Sequence, residues 1–360
     1  VLALQQERVE ARPDDGPLAF RAGRHPQVLD HLDLEGLGPG TTLHGGRILR
    51  PGRSGCPDLG QLARFQRFSV NSALQSMRLG HQQADHGLVR LMQWETPLNV
   101  GLGLGPNLRA VGSRWGVRVT RSVFNIVNHA ERAREAGMPL SLIHPLLAVI
   151  GEVSGQRIAQ PFRDPIVGVR EMVLLQPYYR QVFFERFGYE SPAYGQIDPT
   201  SLLATSQHTH VGLMIANDDA HVLDFYDEIL GLRRTLDEHT PYENATGSRL
   251  IFGLEPGEGF HMVDFDDPRT GPGLHERRSG KLKCVRFAGN ARIDRLLEHS
   301  RLGCLGYSGY CWRANDLEAL HRRLESARVS ALTDVLPDEF GRLSLSFFAP
   351  DGYHWVLVQH

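Results

Sequence analysis

One order of elements recurs along this chain, and that recurrence limits its fold more than any other feature. The clearest copy starts at His210. An apolar run rich in strand formers ends at Asn217 and Asp218, and then Val222, Phe225, Tyr226, Ile229 and Leu230 recur at helical three-and-four spacing until Gly231 closes the helix. SRLIFGLEPG and GFHMVDFDDP follow as two short strand-like runs split by a Gly and Pro turn. The C-terminal end repeats the order: GYSGYCWRAND, the helix DLEALHRRLESARV, the strand RLSLSFFAP, a turn at Asp351 and Gly352, then YHWVLVQ.

Two weaker copies lie upstream. TLHGGRILRPG, PDLGQLARFQRF and HGLVRLMQWE make one, and WGVRVTRS, VFNIVNHAERAREAG, REMVLLQP and YRQVFFERFG make the other. A histidine heads the first strand of units one and three, His44 and His210, which suggests a duplicated pair. The expected fold is α+β: four βαβββ modules paired into two half-closed barrels. On this reading residues 1–40 are an N-terminal extension, 41–191 the first two-module barrel, 192–207 a linker and 208–360 the second barrel. The stretch YESPAYGQIDPTSLLATSQ, with Pro, Gly and Ser and few apolar anchors, sets the boundary and is expected to be exposed.

Composition removes several classes of partner. The 39 basic and 41 acidic residues nearly cancel, so no general field draws in nucleic acid or an anionic membrane. No apolar run approaches the roughly 18 residues of a membrane helix, and VLALQQERVEARPDDG carries charges where a signal peptide would be apolar. The four cysteines are scattered without a Cys-x-x-Cys pair, which fits reduced thiols in a cytoplasm. GLGLGPN has the wrong glycine spacing for a dinucleotide fingerprint, and no convincing Ser-His-Asp order or phosphate loop is found.

A unit of strand, helix and three strands, paired around a cavity, resembles the plan of the vicinal oxygen chelate superfamily, which holds the glyoxalases, bleomycin resistance proteins and extradiol dioxygenases. The resemblance rests on His210-Val-Gly with the FYDEILGL helix and on SFFAPDGYHWVLV, and it spans about residues 41–360. The four-unit length is similar to that of the ring-cleaving members. It implies a divalent metal, iron first, a small oxygenated aromatic substrate, and a chain for which a homo-oligomer is compatible. Those members hold their metal by a histidine at the head of unit three, which His210 matches, by a second histidine near Ser308 to Tyr310, and by a carboxylate at Val356. The last two positions carry no such group here.

Side chains two apart on a strand share a face, so His354 can replace a ligand about 6.5 Å from Val356. His261, within GFHMVDF, can project into the same barrel. His210, His261 and His354 are thus the candidate metal ligands, since imidazoles suit iron, zinc, copper or nickel. His208 sits two before His210 as a further chelating partner, and His44, Glu95 and Glu185 are candidate donors in the N-terminal half. Each has an ordinary reading as a packed or solvated side chain, given 17 histidines in all. Tyr310, Tyr353, Trp312 and Trp355 are expected to wall the C-terminal barrel, with Tyr310 the candidate catalytic hydroxyl. Two functions follow: a ring-cleaving metalloenzyme, or a metal-free member that binds or rearranges an aromatic natural product.

Overall fold

A computed structural model describes residues 42–43, 46–49, 74–81, 84–94, 97–104, 108–150, 162–216, 221–245, 247–289, 292–338 and 340–360. Strands β1 (Thr42–Leu43), β2 (Gly46–Leu49), β3 (Leu74–His81) and β4 (Ala84–Trp94) form one antiparallel sheet. The second unit holds β5 (Arg114–Thr120), helix α1 (Val123–Glu135), β6 (Ser141–Val149), β7 (Gly168–Leu175) and β8 (Arg180–Phe187). The third holds β9 (Thr205–Met214), α2 (Asp224–Glu228), β10 (Arg233–Pro241), α3 (Ser248–Phe252), β11 (Glu258–Asp266) and β12 (Lys281–Gly289). The fourth holds β13 (Tyr310–Ala314), α4 (Leu317–Ser326), β14 (Leu336–Pro337), β15 (Leu343–Phe348) and β16 (His354–Gln359).

In units two to four the first strand lies parallel to the fourth, and the remaining strands follow antiparallel. The helix between the first two strands makes this possible, because strands running the same way need a long crossover. Local chemistry starts the two longer helices: Ser122 accepts from the Asn125 amide at α1, and Asp316 accepts from the Ala319 amide at α4.

The α+β fold and its paired half-barrel modules are as expected, but the pairing crosses the expected boundary. Strands β5 and β9 pair antiparallel, Val117 opposite His210, and join units two and three into one eight-stranded sheet. Each of these strands is paired on its other side only once, to β8 or β12, so its free edge of N–H and C=O groups needs a partner. The sheet curls until Leu146 of β6 stands 3.6 Å from where a Cβ on Gly247, beside α3, would lie. Its concave face buries Trp115, Val117, Val173, Val182, Phe260 and Phe287, with Phe252 of α3 closing the gap. On the outer face, α1 covers Met172 and Phe183, while unit four packs on unit three through Tyr226, Phe265, Phe347 and Trp355.

Residues 192–207 do not form an exposed linker. Tyr194 is 8% exposed, Asp198 1% and Ser201 7%. Arg186 donates to the carbonyls of Ser191 and Tyr194, the Ser279 amide donates to that of Ala193, and β9 already begins at Thr205. Limited proteolysis should therefore spare residues 193–198, while exposed sites such as Thr200 and Leu202 remain open to cutting; early cleavage between 193 and 198 would contradict that burial. Among the described residues no helix is long and apolar enough to cross a membrane.

Candidate functional site

Strand alternation sorts the half-barrel's side chains by face. Register places Val117, Val182 and Val173 in one row on the concave side with His210, and Phe184 beside Glu171 in the next. Lys281 and Lys283 of β12 and Asp264 of β11 reach the same side. The concave face is therefore apolar at the end plugged by α3 and polar at the other, where Glu171, Phe184, His210, Asp264, Lys281 and Lys283 gather.

Two lysines organise that polar end. The Lys281 ammonium lies 2.9 Å from both Asp264 and Asp266, so its charge is matched twice. Lys283 is more loosely held, 3.3 Å from Asp264 and 3.0 Å from the Met262 sulfur. Burial alone would raise the Asp264 carboxyl, but Lys283 and Lys281 hold it down at about 2. Glu171 behaves in the opposite way. Burial pushes its carboxyl up to about 7 against the pull of Lys283, and among the described residues no hydrogen bond reaches it. It is a half-buried acid that both protonation states can occupy near neutrality.

His210 is 4% exposed, its Nδ1 shared by the hydroxyls of Tyr194 and Thr209. Its ring lies 5.6 Å from Phe184 and stacks on Tyr194 at 5.9 Å. Burial first, then Lys283 and Lys281, holds its pKa well below the ordinary value, so the imidazole is neutral.

The other predicted ligands do not join it. His261 is registered with Arg286 and His210 with Lys281, five residues apart on β12. That is roughly 16 Å along the strand, and an odd step, so the two histidines face opposite sides. His261 instead contacts Asp237 at 2.6 Å, accepts from Arg286 at 2.7 Å and stacks on His239 at 4.0 Å. His354 belongs to the other sheet, where burial takes its pKa down to about 3 and its Nδ1 has no hydrogen-bond partner among the described residues. A bulge separates His208 from His210: the register jumps from Val117–His210 to Arg118–His208, so an extra residue, Thr209, turns His208 to the opposite face.

Several further expectations change in the same way. The Tyr310 hydroxyl donates to the carbonyls of Gly212 at 2.8 Å and Trp115 at 3.2 Å, so it clamps unit four to the β5–β9 pairing. Tyr353 and Trp355 lie with it in the core between units rather than on a cavity wall, packed in one cluster with Leu317 and Leu324 of α4. Glu185 accepts from the Val123 amide at 3.0 Å and so caps α1. His44 and Glu95 lie outside the described residues.

A divalent ion does not fit the donors around His210. Its registered neighbours on the concave face are Val117 and Lys281, and two ammonium groups stand where carboxylates would be required. Among the described residues no three His, Cys, Asp or Glu side chains are placed to hold a metal. Sequence reasoning missed Glu171, Lys281, Lys283 and Asp264. Their signal was charge inside apolar strands, in REMVLL and, at alternate positions, in KLKCVRF and MVDFD, which also describes an ordinary solvated face.

Residues 207–357 match the family model of the Glyoxalase/Bleomycin resistance protein/Dioxygenase superfamily, a stretch that takes in units three and four. No curated protein matches the chain in sequence. Among solved structures, a candidate dioxygenase from Bacillus subtilis is 13% identical, covering 79% of this chain and 72% of that one at a TM-score of 0.44. Glyoxalase I from Zea mays is 15% identical, covering 79% of each chain at a TM-score of 0.41.

Proposed function

From the match of residues 207–357 to the model of the glyoxalase, bleomycin resistance protein and dioxygenase superfamily, the vicinal oxygen chelate group, we propose that the concave face of the half-barrel binds a small oxygenated aromatic molecule and that Glu171 moves a proton on it. The observation that carries this reading is the Glu171 carboxyl, pushed up to about 7 with no hydrogen-bonded partner among the described residues. An acid poised at the working pH can take a proton and return it. Phe184, Tyr194 and Met262 offer an apolar wall for a ring. The loosely paired Lys283 is the group to hold an oxyanion.

The chemistry balances without a co-reactant. A Glu171 oxygen takes the proton from carbon next to a carbonyl, the C–H electron pair forms a C=C bond, and the carbonyl pair moves onto oxygen beside Lys283. Where the deprotonated carbon bears a hydroxyl, the proton returns to the former carbonyl carbon, the hydroxyl proton passes to the oxyanion, and the hydroxyl oxygen becomes the new carbonyl, so a hydroxyketone becomes its isomeric hydroxyaldehyde. The ring-cleaving, iron-dependent alternative needs a donor set that the described residues do not assemble at His210. The test is exchange of the α-protons of 2-hydroxyacetophenone in D2O, followed by NMR. Exchange above the uncatalysed rate is expected, with a loss of about 10²–10⁴-fold in Glu171→Gln. His210→Ala should leave bound metal unchanged. Exchange indifferent to Glu171, or stoichiometric metal lost with His210, would overturn the proposal.

A further inference from the structure

The two ring nitrogens of His210 are held differently. Nδ1 lies against the hydroxyls of Tyr194 and Thr209, while among the described residues no hydrogen bond reaches Nε2. A hydroxyl has one hydrogen to give, and Thr209 gives its own to the Val117 carbonyl at 3.2 Å. Val117 is also the registered partner of His210, so the bulge that turns His208 away sets the Thr209 oxygen 3.3 Å from Nδ1 without a hydrogen to offer it. Tyr194 is left as the donor, and burial, which raises its pKa, keeps that phenol protonated. A neutral imidazole accepts on one nitrogen and donates from the other, so the proton of this ring sits on Nε2.

His210 shares the concave face with its registered partner Lys281 and with Lys283, two residues further along β12. Burial and these two ammonium groups keep the ring neutral, and the same charges favour its anion. The reaction written for Glu171 leaves one step unassigned. Once the C–H proton is gone, an oxyanion and a hydroxyl stand on neighbouring carbons, and a proton must cross from the second oxygen to the first. Glu171 is occupied with the proton taken from carbon and cannot carry both.

We infer that the Nε2–H of His210 carries that proton and that Tyr194 positions the ring for it, which rests on the Glu171 reading for the step before. Nε2–H gives its proton to the oxyanion, and the electron pair left on nitrogen takes the proton of the neighbouring hydroxyl. That oxygen becomes the new carbonyl as Glu171 returns its proton to carbon, and the imidazole ends as it began. Lys283 steadies the imidazolate between the two transfers. The test uses the full chain with mandelaldehyde, whose conversion to 2-hydroxyacetophenone is downhill because the ketone is conjugated with the phenyl ring. His210→Gln keeps an N–H but cannot take a proton back, so it should slow this conversion about a hundredfold more than it slows α-proton exchange. Tyr194→Phe should slow conversion too, and NMR of nitrogen-labelled histidine should show Nε2–H in the wild type and a mixture of tautomers in that variant, with melting temperatures reporting that both variants fold. Exchange without conversion, equal losses of both in His210→Gln, or a wild-type ring proton on Nδ1 would overturn this inference alone. Absence of exchange in the wild type would overturn the Glu171 reading, and this step with it.

Discussion

Gly212→Ala is expected to destabilise the protein by about 3 kcal/mol or more, near the upper end for an overpacked core. An added methyl would stand 1.9 Å from Cε2 and 2.1 Å from Cζ2 of Trp115. That indole is 3% exposed and packed within the concave core, so it cannot swing away as a surface side chain would. Gly212 does not need a left-handed backbone; the requirement is room alone. Gly253 makes the control: its φ of 58° asks for glycine while nothing lies within 4 Å of a Cβ, so alanine there should cost only about 1 kcal/mol. Urea titrations of both variants check the contrast, and a Gly212→Ala midpoint close to wild type would refute the packing described for this face.

Glu171→Gln should stabilise the protein in alkaline solution. The folded carboxyl titrates at about 7, against 4.5 when unperturbed, so the native state holds a proton that the unfolded chain releases. Its contribution is fully present below pH 4.5 and is lost as pH rises through 7. At 1.36 kcal/mol per pH unit the whole loss is on the order of 3 kcal/mol. Glutamine does not titrate, so the variant should gain on wild type through that window and match it most nearly in acid. Unfolding free energies at pH 4.5, 6 and 8 decide the matter. A difference independent of pH would mean that the carboxyl is not desolvated as described.

Both variants concern residues whose importance the sequence hides, and the reason is the same. The order of elements in units three and four is legible because helix spacing at Phe225 to Leu230 and the Asp351–Gly352 turn are local signals. The head position of His210 is legible for that reason too. Which strand edges meet is a global choice: β5 and β9 are 85 or more residues apart, as the bond from Val119 to Ser206, 87 positions along, shows, and nothing local marks them as partners. The single bulge at Thr209 then reverses the face of His208, although its spacing from His210 had put the two together. Charged residues at alternate strand positions look solvated until curvature turns their side inward, which is why Glu171 and Lys283 escaped notice. The buried connection at Tyr194 was misread because Pro, Gly and Ser describe tight turns as well as loose ones.

The clamp made by Tyr310 has a consequence for how the chain is built. Its hydroxyl closes bonds to carbonyls 98 and 195 residues earlier, and Arg114 lies between its ring and that of Tyr353, at 5.3 and 4.5 Å. The joint between units two and three is thus finished by a residue that follows every strand of the eight-stranded sheet in sequence. Contacts so distant in sequence form late and slowly. During synthesis the half-barrel waits unlatched until Tyr310 is made, and a chain stopped before residue 310 would contain every strand of the eight-stranded sheet yet lack the residue that locks it.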